Sequence, residues 1–160
     1  LLEHIISICG VMKALAMHYR LFDVKLNLDF LYFGAIYHDI GKIWELQYES
    51  SISYTDRGKL IGHMVMAVEL VEKKASRILA FPEDLKVLLK HIILSHHGKL
   101  EYGSPKLPMF LEAVLVASID DLDSKINTID MFMKSERASG EDWSKFNQMF
   151  ERYFYLRSGE

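Results

Sequence analysis

Cysteine is nearly absent from this chain of 160 residues: Cys9 stands alone, so no disulfide can form within it. That usage fits a reducing cytoplasm, which is the expected location. Positive charge is not in excess either. Nineteen Lys and Arg against 22 Asp and Glu leave a formal charge of -3. With no overall basic field, a nucleic acid would have to be held by a local patch or by another domain. Long apolar runs are also missing. The opening stretch 1–16 is interrupted by Glu3, His4 and Lys13 and lacks the basic leader and small-residue cleavage site of a signal peptide. Nothing approaches the roughly 18 uninterrupted apolar residues that a membrane span needs, so no membrane partner is expected. Proline is scarce, at three residues, and alternation of apolar and polar residues is confined to 51–55.

Half of the residues are hydrophobic, and they recur at three- and four-residue spacing along almost the whole chain. This periodicity predicts an all-α fold: a single compact helical bundle of about six helices spanning 1–160. The helices are expected near 1–20, 29–39, 60–80, 83–97, 108–137 and 142–155. Pro82 opens one helix, Gly98 closes it, and Asp29 is placed to cap another. The stretch Lys99 to Pro108 is the clearest loop, and no repeat or linker is visible.

Several of the seven histidines interrupt apolar stripes. His4 shares a face with Ile8, Val11 and Leu15, and His38 with Leu31, Gly34 and Ala35. His63 lines up with Met66, Ala67 and Leu70, and His96 with Leu85, Leu89 and Ile92. Asp120 ends the apolar run Ala113 to Ile119 inside a long helix. An inward carboxylate without a partner costs several kcal/mol, so imidazoles converging on it favour a metal. A lone histidine on such a face is more often a hydrogen-bonded core residue, and His18 and His91 are set aside on that ground. Asp123, one turn from Asp120, is a candidate supporting carboxylate.

The string His38-Asp39-Ile40-Gly41-Lys42 changes the weighting, because it sits between His4 upstream and His63, the pair His96-His97 and Asp120 downstream. In this order the residues resemble the HD superfamily of metal-dependent phosphohydrolases over essentially the whole chain. The resemblance implies that His4, His38, Asp39 and Asp120 hold one metal. It also implies that His63 and His96, with His97 as a ligand or a supporting neighbour, hold a second that shares Asp39. Mixed imidazole and carboxylate donors suit Mn, Fe, Co, Ni or Zn, among which the sequence does not choose. Asp39 and Lys42 are the catalytic candidates: Asp39 as the bridge, Lys42 as the cation facing phosphate.

A narrower resemblance lies in Ser95-His96-His97-Gly98, Glu101-Tyr102-Gly103-Ser104-Pro105, Leu111-Glu112-Ala113 and Asp120-Asp121-Leu122-Asp123-Ser124-Lys125, continuing to Trp143, Asn147, Arg152 and Tyr153. These segments are similar to the HD module of bacterial 3′→5′ exoribonucleases that join an N-terminal OB-fold to an HD domain. The OB-fold has no counterpart ahead of His4, so gripping of a long strand lies outside what these residues predict. The expected reaction is hydrolysis of single-stranded RNA or an oligonucleotide by a metal-activated hydroxide. A free or cyclic nucleotide is the second candidate substrate, and a non-catalytic sensor or scaffold the third reading. Arg57, Lys59, Lys99 and Lys106 are substrate-binding candidates beside Lys42, although solvated surface cations would look the same. Tyr37, Trp44 and Tyr102 are candidates for base stacking. The apolar stripe Trp143, Phe146, Met149, Phe150, Tyr153, Phe154 predicts helix packing, or a homodimer contact where it is exposed.

Overall fold

The computed structural model describes residues 1–157. It is helical, as the periodicity predicts, with one small antiparallel hairpin among the described residues. The helices are α1 (Leu2–Arg20), α2 (Leu28–Tyr37), α3 (Lys42–Glu45), α4 (Asp56–Ile61), α5 (His63–Ala75), α6 (Glu83–Ser95) and α7 (Leu111–Arg137). Strands β1 (Leu46–Tyr48) and β2 (Ile52–Tyr54) form the hairpin between α3 and α4, with Leu46 opposite Tyr54. The chain divides into two compact units, 1–121 and the part from Leu122 onward.

In the first unit the stripes identified in the sequence meet in two adjoining clusters. Ile8 and Met12 of α1, Leu31 and Ala35 of α2, Ile92 of α6, and Ala113, Val116 and Ile119 of α7 form the larger one. Met64, Ala67 and Val71 of α5 pack on Ile93 of α6 in the smaller, with Phe33 and Tyr37 of α2 against them. Ile92 and Ile93 are neighbours in sequence, so α6 is the helix on which both clusters lean. Burial of such side chains contributes roughly 1.5–3 kcal/mol each, which fixes the helix faces and therefore where their histidines point.

Local chemistry sets the helix ends. Asn27, rather than Asp29, caps α2: its side chain accepts the N–H groups of Asp29 and Phe30 at 2.9 and 3.4 Å. Asp29 instead sits in the first turn, where its charge favours the helix N-terminus. The helix expected over 60–80 is broken in two, because Gly62 takes φ +80° and ψ 157°, which a helix cannot contain. That break lets α5 begin at His63 itself.

In the second unit the helix expected over 142–155 does not form. Trp143 pairs with Tyr155 and Asn147 with Arg152 in isolated antiparallel bridges. The Asn147 side chain accepts the N–H of Phe150 at 3.1 Å, and Glu151 adopts φ +54°. An Asx-type turn thus captures the backbone, and aromatic residues, which favour extended chain, continue on both sides. The three-to-four spacing was real, but it belongs to a doubled-back segment whose Phe146 and Tyr153 rings lie 5.3 Å apart.

Candidate metal centre

Two groups of side chains in the first unit can each hold a metal ion: His4, His38 and Asp39, and His63, His96 and His97. Within each group the donor atoms lie within 4.8 Å of one another. Asp120 joins the first group, with Oδ1 3.0 Å from His4 Nε2 and 3.6 Å from His38 Nε2. Asp39 lies between the two. Its Oδ2 is 3.5 Å from His38 Nε2, while its Oδ1 is 3.5 Å from His63 Nε2 and 3.7 Å from His96 Nε2. Every residue assigned to a metal from the sequence therefore falls in this one cluster.

The rings are oriented by their other nitrogen. His38 Nδ1 donates to the carbonyls of Gly34 and Ala35 at 2.9 and 3.1 Å, because His38 continues the last turn of α2. His96 Nδ1 donates to Ile93 O at 2.6 Å and His97 Nδ1 to Tyr102 O at 2.8 Å. A carbonyl oxygen can only accept, so Nδ1 carries the proton in all three, and a neutral ring then presents a lone pair at Nε2. These second-nitrogen contacts are the kind that orient metal ligands. The loop holding Tyr102 is itself tied down, since buried Ser104 donates from Oγ to Leu94 O at 3.1 Å.

Four buried atoms in the cluster have no hydrogen-bond partner: His38 Nε2, Asp39 Oδ1, His63 Nε2 and His96 Nε2. Each unsatisfied buried polar atom costs about 1–3 kcal/mol. Four together would take a large share of a typical domain stability of about 5–15 kcal/mol. All face one another, and three are imidazole nitrogens of the tautomer that binds metals. The residues present fit divalent cations.

Burial disfavours charge on Asp39, but the imidazoles of His38 and His96 and the ammonium of Lys42 outweigh it and hold its carboxyl well below the usual carboxylate range. The imidazole contacts are too long for full hydrogen bonds, so the effect is chiefly electrostatic. Burial would likewise depress His38, yet Asp39 and Asp120 win and raise it. His97 is lowered by burial and by its neighbour His96.

Lys42 opens α3 and donates from Nζ to Asp39 Oδ2 at 2.6 Å, with about a third of its side chain open to solvent. The other cations considered for substrate do not join the cluster. Arg57 pairs with Glu69 at 2.8 Å and Lys99 with Glu101 at 3.1 Å, both on the surface, and Lys59 and Lys106 are exposed. His91, set aside earlier, accepts the backbone N–H of Met109 at 3.0 Å, and Asp123 accepts from Asn127 Nδ2 at 2.9 Å.

One buried participant escaped the sequence reading. Glu45, at the end of α3, accepts from both the backbone N–H and Nδ1 of His63, at 2.9 and 3.0 Å. Its only sequence signal is a carboxylate three residues beyond Lys42, a spacing that ordinary surface ion pairs also use.

Residues 1–125 match the family model described as HD domain. The chain belongs to the HD domain family. It is 41% identical over 152 residues to the 3'-5' exoribonuclease YhaM of Geobacillus sp. (strain WCH70), covering 95% of this chain and 45% of that protein. With YhaM of Listeria welshimeri it shares 42% identity over 156 residues, covering 92% and 48%, and with YhaM of Bacillus subtilis 40% over 152 residues, covering 95% and 46%. The chain thus spans about half the length of the curated relatives it matches. No solved structure matches it.

Proposed function

We propose that this HD domain hydrolyses phosphodiester bonds of single-stranded RNA or short oligonucleotides from the 3′ end, releasing nucleoside 5′-monophosphates with the help of two divalent cations. The observation that carries the reading is the set of three unpartnered buried imidazole nitrogens converging on Asp39, whose own Oδ1 is unpartnered as well. The names of the relatives supply the substrate class.

His4, His38, Asp39 and Asp120 would hold one cation, and His63, His96, His97 and Asp39 the other, with Mn, Fe, Co, Ni or Zn suited to these donors. When bound, such cations supply Lewis-acid charge and make water acidic enough to act near neutral pH. The protein's own part is positional. Hydrogen bonds through Nδ1 keep three imidazoles in the metal-binding tautomer. Asp39 stays ionised over the whole physiological range, so it can face both groups at once. Lys42, 2.6 Å from Asp39 and partly open to solvent, is placed to swing its ammonium toward a phosphate oxygen as negative charge builds there. The 3′ oxygen of the chain is the leaving group and takes up a proton from solvent.

A free or cyclic nucleotide remains a second substrate class, favoured by the engagement of Arg57 and Lys99 with surface carboxylates rather than with a strand-binding path. The experiment is to supply the Mn²⁺-loaded protein with an oligonucleotide carrying either a free or a blocked 3′ end and with cyclic dinucleotides. Trimming of the free-ended strand alone, one nucleotide at a time, supports the proposal. Equal trimming of the blocked strand, or activity on cyclic substrates only, contradicts it. The exposed Trp143, Phe146, Met149 and Tyr153 support a homodimer contact as well, and light scattering at micromolar concentration tests that.

A further inference from the structure

Among His38, His63, His96 and His97, three donate from Nδ1 to backbone carbonyls and only His63 donates to a carboxylate, Glu45 Oε1. The two ligand groups also differ in charge. The first contains Asp39 and Asp120, whereas the second consists of three imidazoles and borrows only Asp39 Oδ1. A dication held by neutral rings and half of one shared carboxylate carries uncompensated positive charge, which a carboxylate hydrogen-bonded to a ligand ring offsets.

We propose that Glu45 is the positioning residue of the three-histidine group, supplying through His63 the negative charge that a cation held there needs. The inference rests on the two-cation reading and deepens it. Carboxylate, imidazole and metal in line fix the ring and strengthen Nε2 as a donor. The neighbourhood is built for this contact. Thr55 donates to Glu45 O from its backbone N at 2.9 Å and to Trp44 O from Oγ1 at 2.8 Å. Gly58 approaches so closely that a Cβ there would lie 2.2 Å from Glu45 O, and a Cβ on Gly41 would lie 2.0 Å from His63 O. Both ends of the Glu45–His63 contact are therefore gripped by backbone that tolerates no side chain.

A plainer role competes: Glu45 caps α5 by accepting the His63 backbone N–H, since Gly62 offers no side chain for that purpose. Glu45→Gln separates the two, because the amide oxygen can still accept both hydrogen bonds while the charge is gone. Calorimetric titration of the metal-free full chain with Mn²⁺ is expected to show two ions in the unaltered protein. In Glu45→Gln one of the two should bind about 10–100-fold more weakly and the other as before. Nitrogen-15 spectra of the unaltered, metal-free protein provide a second readout that survives even if the variant does not fold. They should show His63 protonated at Nδ1, with that proton further downfield than those of His38, His96 and His97. Two ions bound with unchanged affinity in Glu45→Gln, or a His63 ring that lacks a proton at Nδ1, overturns the inference and leaves the two-cation reading standing. No ion bound by the unaltered protein overturns both.

Discussion

Asp39 turns one oxygen to His38 and Lys42 and the other to His63 and His96, so its removal affects both ligand groups. Asp39→Ala should lower Mn²⁺ affinity by more than the roughly 100-fold that losing an outer partner costs, and abolish hydrolysis, while far-ultraviolet circular dichroism stays helical. Lys42→Ala should leave metal content unchanged, measured by mass spectrometry, and slow phosphodiester cleavage by about 10²–10³-fold, the range typical of losing one charge-stabilising donor. The site also has a pH signature. His38 is raised in the metal-free fold by Asp39 and Asp120 despite its burial. Its protonated form therefore stabilises that fold fully below the ordinary histidine pKa, and the contribution is lost as pH rises through the raised value. Metals need the unprotonated ring, so their stabilisation runs the other way. Thermal melts should show Mn²⁺ raising the midpoint strongly at pH 8 and hardly at pH 5.5. The proposed ligands were legible because each is a polar side chain in an otherwise aliphatic stripe. Glu45 was not, because its role exists only through His63, eighteen positions away in the chain.

At the scale of elements, the short segment α3–β1–β2–α4 joins the His38–Asp39 turn to His63 at the start of α5. It brings Lys42 and Glu45 to the site from one four-residue helix. The packing of α4 on α3 depends on glycine. Gly58→Ala should destabilise the fold by about 1–3 kcal/mol, the usual cost of overpacking, because the methyl would meet the Glu45 carbonyl. A urea titration with an unchanged slope and a lower midpoint checks this. The helices α1, α6 and α7 were readable from periodicity, with Pro82 marking the start of α6, since burial of one face decides them. Two expectations failed where side-chain-to-backbone bonds or a positive φ overrode periodicity: at Gly62, which splits 60–80, and at Asn147 and Glu151, which turn 142–155 back on itself. Competition of that kind leaves the apolar spacing intact, so a pattern of spacings cannot reveal it.

For the molecule as a whole, the HD match over 1–125 covers every proposed metal ligand, all of which lie in the first unit. No described helix is long and apolar enough to cross a membrane. The order of motifs along the sequence carried the family, whereas the division into two units left no mark in composition, because α7 runs unbroken past Asp121. The central claim is that side chains from α1, the α2–α3 turn, α5, the end of α6 and α7 converge to bind two cations. The most direct measurement is an anomalous-scattering map from crystals of the Mn²⁺-loaded protein, recorded at the manganese edge. Two peaks about 3.5–4 Å apart are predicted, one within reach of His4, His38 and Asp120, the other of His63, His96 and His97, with Asp39 touching both. Manganese peaks confined to surface carboxylates, or none at all, would contradict it.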